Sequence, residues 1–148
     1  MSAVVCDCAD EMGDALPAVN LGTGRHAIQI AAGGQHTCAI LDNNDLKCWG
    51  QGGDGRLGYA PAGSAGSAPS TNAAGYGQGS VGDLGDGAGE MGDDLPAVNL
   101  GSGRHAVYIV AGGAHTCAIL DNADLKCWGK GDHGRLGLGD VVNRGDGG

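Results

Sequence analysis

The chain is 148 residues long, holds 32 glycines and no phenylalanine, and carries a formal net charge of −9. Leu, Ile and Val number only 26, so any core is thin, and the glycines lose the most backbone freedom on folding. The acid is spread along the chain with no basic cluster, which disfavours nucleic acid and anionic membrane as partners, and no apolar run is long enough to span a bilayer.

In chain order, Met1 to Asp14 lacks the basic start and apolar stretch of a secretory signal, so the expected location is cytoplasmic. Cys6-Asp7-Cys8 could be imagined with His36 and Cys38 as a zinc site, but the ligand gaps and second pair of such sites are missing. Residues 11–58 then align with 90–137 at a fixed offset of 79, with 38 of 48 positions identical. This is an internal duplication. It divides the chain into a first repeat over 1–58, an insert and acidic spacer over 59–89, and a second repeat over 90–148 that ends between units. Ala60 to Tyr76 is a stretch of Ala, Gly, Ser and Pro that reads as a linker or surface loop.

Within each repeat the pattern is β. Pro17 to Leu21 could form a short strand, and residues 26–32 put Ile28 and Ile30 on one face at period 2. Gly33-Gly34 then permits a tight reversal. A hairpin follows, in which 37–41 and 46–49 flank Asp42-Asn43-Asn44-Asp45, whose side chains favour turns. Almost no helix is expected.

The text Ala-Gly-Gly-x-His-Thr-Cys-Ala-Ile-Leu-Asp, then Leu-Lys-Cys-Trp-Gly and Gly-Arg-Leu-Gly, at 32–58 and again at 111–137, resembles the repeat of the regulator of chromosome condensation family. The resemblance implies an all-β fold: two antiparallel blade-like units of a propeller, usually of seven blades. Two units cannot close a propeller, which needs about four. The family places Gly near the tip of the central hairpin where this chain has Asn44 and Ala123; a left-handed backbone at Ala123 would cost on the order of 1 to 2 kcal/mol.

Cys38, Cys48, Cys117 and Cys127 sit at equivalent places on facing strands. Ten residues apart across a hairpin, each pair is opposed or one register off, and two readings stay open: disulfide staples, with secretion implied, or small apolar side chains of a reduced protein. His36 and His115 share a strand face with Cys38 and Cys117, which would suit a base beside a thiol nucleophile; recurrence in both repeats points instead to a structural hydrogen bond. Trp49 and Trp128 are expected to anchor the blades. Asp83, Asp86, Glu90, Asp93 and Asp94 fit no calcium-loop spacing and read as a solvated loop between blades. No catalytic, cofactor or metal site is expected.

The function expected is a non-enzymatic protein–protein interaction module, a fragment or self-assembling part of a propeller completed by another protein or further copies of itself. The resemblance also brings the alternative of a guanine-nucleotide exchange factor acting on a small GTPase. A third alternative is a truncated gene product without stable activity.

Overall fold

The computed structural model describes residues 12–59 and 82–145. Each repeat contributes one three-stranded antiparallel sheet: β1 (Ala27–Ala32), β2 (His36–Leu41) and β3 (Leu46–Gly50) in the first, β4 (Ala106–Ala111), β5 (His115–Leu120) and β6 (Leu125–Gly129) in the second, each sheet in chain order. The helical segments among the described residues are three-residue 3-10 turns. The architecture is the expected all-β one, and the two sheets are adjacent, with β4 packed on β1 and β2.

The hairpins pair Ile40 with Leu46, Cys38 with Cys48 and His36 with Gly50, and the second hairpin repeats this with Ile119–Leu125, Cys117–Cys127 and His115–Gly129. At the tip, the Asn43 side chain accepts from the Asp45 amide and donates to the Asp45 carboxylate. Asn44 and Ala123 both take a left-handed backbone, φ 69°, so Ala123 carries the strain that the missing glycine would have relieved.

One local expectation is corrected. Residues 17–21 are not a strand. Their counterparts explain why: the Val98 amide donates to the Leu46 carbonyl (2.7 Å), which lays residues 95–100 along the free edge of β3. The extended segment of one repeat therefore finishes the sheet of the repeat before it, and residues 17–21 have no preceding sheet among the described residues. Gly33 and Gly34 do form the tight reversal expected between β1 and β2, where the Gly33 amide donates to the His36 carbonyl (2.8 Å). A Cβ on Gly33 would overlap the His36 ring and the Gly112 carbonyl, and one on Gly34 would strike the Gly113 carbonyl. These glycines allow close approach of the second repeat, and the Gly34 amide donates to the Gly112 carbonyl (3.2 Å).

The core lies in the joint between repeats. Cys38, Ile40, Leu46, Cys48, Leu57 and Tyr59 of the first meet Leu95, Val98, Leu100, Ala106, Ile109, Ala118, Leu120 and Trp128 of the second. Burying each large aliphatic side chain contributes roughly 1.5 to 3 kcal/mol, which offsets the entropic cost of so many glycines.

Candidate interaction faces

The joint between the repeats is the best-defined chemical surface, and its polar bonds form one network. The Thr116 hydroxyl donates to the Arg56 carbonyl (3.0 Å), which spends its proton, so the His36 Nε2–H donates to Thr116 Oγ1 at 2.8 Å. Trp128 Nε1 donates to the same Arg56 carbonyl (3.1 Å). Arg56 is held for this task by its own loop, since its guanidinium reaches the Gly53 carbonyl and the Asp54 carboxylate. Lys47, buried, donates to the Leu21 and Gly92 carbonyls, and the Thr23 amide and hydroxyl donate to the Asp93 carboxylate. Burial first, then the nearby Arg56 guanidinium and His115, push the His36 imidazole down to about 4, so it stays neutral and can serve as a one-way donor. Hydrogen bonds from Thr23 hold the Asp93 carboxyl below its usual range.

The expected structural residues fall on two sides of this joint. His36 binds the second repeat through Thr116; its twin His115 faces away, half-buried, its pKa lowered by burial and by Arg135. Trp128 is buried in the joint and Trp49 lies half-buried on the far side of the first sheet. The Sγ atoms of Cys38 and Cys48, and those of Cys117 and Cys127, are at bonding distance, with Cα atoms 4.1 Å apart in each pair. Cys38 and Cys48 are fully buried, whereas Cys117 and Cys127 are half-buried.

Of the acidic run, Asp86, Asp93 and Asp94 are exposed as expected, but Glu90 and Asp83 are not solvated. Glu90 is fully buried and accepts from the Gly85 and Gly87 amides, and Asp83 accepts from the Gly52 amide. These carboxylates fold the spacer back onto the first repeat, where Gly50 and Leu84 exchange backbone bonds. Among the described residues no group of three or more His, Cys, Asp or Glu is placed to hold a metal; Cys6, Cys8 and the stretch from Ala60 to Tyr76 lie outside the described residues. No helix among the described residues is long and apolar enough to cross a membrane.

The model of the regulator of chromosome condensation (RCC1) repeat matches twice, at residues 27–56 and 106–135. The chain carries two RCC1 repeats. It is 30% identical over 121 residues to the human E3 ubiquitin-protein ligase HERC2, 27% over 118 residues to the Arabidopsis thaliana ultraviolet-B receptor UVR8, and 30% over 147 residues to the mitochondrial RCC1 domain-containing protein RUG3 of Arabidopsis thaliana. Each match takes in 78% of this chain, but only 2%, 20% and 33% of those proteins. Among solved structures it resembles yeast RCC1 (Prp20) bound to Kap60, with a TM-score of 0.62 at 20% identity over 86% of this chain and 25% of that one. It also resembles human WBSCR16, with a TM-score of 0.50 at 19% identity over 79% of this chain and 24% of that one. The shared fold is the RCC1 propeller.

Each RCC1 repeat has a leading face, which meets the repeat after it, and a trailing face, which meets the repeat before. The internal joint uses the leading face of the first repeat and the trailing face of the second. No described residue covers the other two faces. Leu46 is 1% exposed, but its twin Leu125 is 67% exposed; Val98 is 7% exposed, but its twin Val19 is 56%. Beside Leu125 lies a groove of about 520 Å³ lined by Leu125, Lys126, Trp128, Leu136 and Leu138. A second, of about 580 Å³, is lined by Val19, Ile30, Thr37, Ala39 and Trp49. Sequence reasoning missed Arg56, Thr116 and Lys47 as parts of the joint. The recurrent Gly-Arg-Leu-Gly and His-Thr-Cys texts were the signal that could have found Arg56 and Thr116.

Proposed function

We propose that the chain is a non-enzymatic protein-interaction module that binds through its two open blade faces. The observation that supports this most directly is the contrast between Leu46 and Leu125, identical residues at identical places in two sheets, of which one is covered by an extended segment and the other is bare. The β6 edge beside Leu125 would take an extended apolar segment as β3 takes residues 95–100, backbone bonds giving affinity and the groove selecting side chains. The paired cysteines are read as disulfide staples that hold each hairpin in register, which supports an oxidising compartment in place of the cytoplasm.

The test is titration of a capped Leu-Pro-Ala-Val-Asn-Leu peptide into the dilute chain, followed by tryptophan emission, since Trp128 lines the groove. Saturable binding is expected, and a peptide with Asp in place of Val should not bind. Equal responses to both peptides, or none to either, would remove the groove as a working surface. Yeast Prp20 is described with binding to Gsp1p and histones, and the exchange-factor reading rests on that shared fold alone; the module reading expects no acceleration of nucleotide release from a small GTPase.

A further inference from the structure

We infer that the segment that fills the open groove of this chain is Leu16 to Leu21 of a second copy, so that copies join head to tail. The inference rests on the interaction-module reading and names its partner. The internal joint supplies the template. Residues 95–100 read Leu-Pro-Ala-Val-Asn-Leu, and residues 16–21 read the same. In the joint the first is buried at Leu95 (1%), Val98 (7%) and Leu100 (6%), while Leu16 and Val19 of the second are 53% and 56% exposed.

The receiving surface is duplicated too. Ile40, Leu46, Cys48 and Leu57 line it in the joint, and their twins Ile119, Leu125, Cys127 and Leu136 are the same residues. Most of the polar partners match, except that Gln29, which exchanges two bonds with the Ile109 backbone across the joint, has Tyr108 as its twin. His36 meets Thr116, and His115 would meet Thr37 of the incoming copy. Arg56 offers its carbonyl to Thr116 and Trp128, and Arg135 would offer its own to Thr37 and Trp49. Lys47 reaches the Gly92 carbonyl at 2.6 Å, and Lys126, already on the Leu100 carbonyl, would reach that of Gly13. Thr23 meets Asp93, and Ser102 would meet Asp14. One chain therefore displays both halves of most of a contact that it already makes within itself.

Two features set the strength of this contact. Leu138 stands where Tyr59 does in the first repeat, so the bond from the Cys48 amide to the Tyr59 hydroxyl (3.0 Å) has no equivalent at the second groove. Each copy also carries a net charge of −9, so the copies repel at low salt and association should strengthen as salt screens them. A head-to-tail contact that repeats one rotation closes into a ring when the rotation permits. Propellers run to between about four and eight blades, so two-bladed copies would close as about two, three or four chains.

The experiment is light scattering on a sizing column at rising concentration in moderate salt, with the full chain, Val19→Asp, Leu125→Asp and an equal mixture of the two variants. Both substituted residues are exposed within one chain, so each variant should keep the wild-type unfolding midpoint when dilute. The wild type is expected at two to four times its 14.5 kDa mass, each variant at one, and the mixture at two. The mixture stops there because one variant keeps an intact groove and the other an intact segment, leaving one good contact. A wild type that stays at one mass, or variants that assemble as it does, would overturn the inference. If the monomeric wild type still binds the hexapeptide, the second copy is refuted and the interaction module is not.

Discussion

Replacing Leu46 and Leu125 by alanine, one at a time, should have very unequal effects although the two residues occupy the same place in two nearly identical repeats. Leu46 packs in the joint with Cys48, Leu57, Tyr59, Leu95 and Val98 and is 1% exposed. Its truncation removes buried methyl groups and leaves a void that the tightly packed joint around it cannot easily collapse. The expected cost is about 2 to 5 kcal/mol. Leu125 is 67% exposed, so its truncation should change stability by no more than about 0.5 kcal/mol. With a urea slope of about 1 to 3 kcal/mol/M, the midpoint of Leu46→Ala should fall by on the order of 1 to 3 M and that of Leu125→Ala should hardly move. The assay is equilibrium unfolding followed by tryptophan emission, in a sample dilute enough to be monomeric. Equal shifts for the two variants would refute the reasoning, because they would mean that the second repeat does not cover the first in the way described. At concentrations where copies associate, the Leu125 variant should become costly as well.

Three further outcomes follow from the same joint. The buried His36 imidazole sits at about 4 in the folded chain against an ordinary value of 6.5, so above pH 6.5 both states are neutral and the full stability is present; between 6.5 and 4 the unfolded chain takes up the proton first, and stability falls by up to roughly 3 kcal/mol. Asp42 and Asp93, held below their usual range, lose their contribution only at more acidic pH, so the difference in urea midpoint between pH 7 and pH 5 reports the two lowered histidines, His36 and His115, and His36→Gln should remove the larger part of it. Under graded reductant with alkylation and mass spectrometry, the half-buried Cys117 and Cys127 should label before the fully buried Cys38 and Cys48; the reverse order would contradict the assignment of open and covered faces. Gly34→Ala should loosen the joint, because its Cβ would lie 2.7 Å from the Gly113 carbonyl, whereas Gly113→Ala meets nothing within 4 Å and should leave the thermal midpoint unchanged.

The duplication, the β character and the hairpins were legible in the sequence because they rest on local text: identical spacing, alternating apolar residues and turn-forming side chains; their register stayed open by one residue until the cysteines were found directly opposite. The role of residues 16–21 was not legible. An extended apolar segment reads the same whether it completes its own sheet or a neighbour's, and only the bond from Val98 to Leu46 shows that it belongs to the neighbour. The Gly-Gly pair makes the tight reversal its text implied, but its second use, close approach of the Gly112 and Gly113 backbone, is visible only when the facing repeat is known. Glu90 was read as solvated because acid in a glycine-rich run usually is; its burial depends on the amides of Gly85 and Gly87, which the fold of the spacer brings to it. Arg56 acts through its carbonyl, a group every residue has, so the recurrent Gly-Arg-Leu-Gly text could mark the residue but not that task.

The central claim is that the extended segment of the second repeat closes the sheet of the first while its twin in the first repeat lies open. Native-state hydrogen exchange on the dilute monomer tests it most directly at two amides. The Val98 amide, bonded to the Leu46 carbonyl at 2.7 Å, should be protected to nearly the extent of the hairpin amides, and the Val19 amide should exchange orders of magnitude faster. Similar exchange at the two would contradict the account.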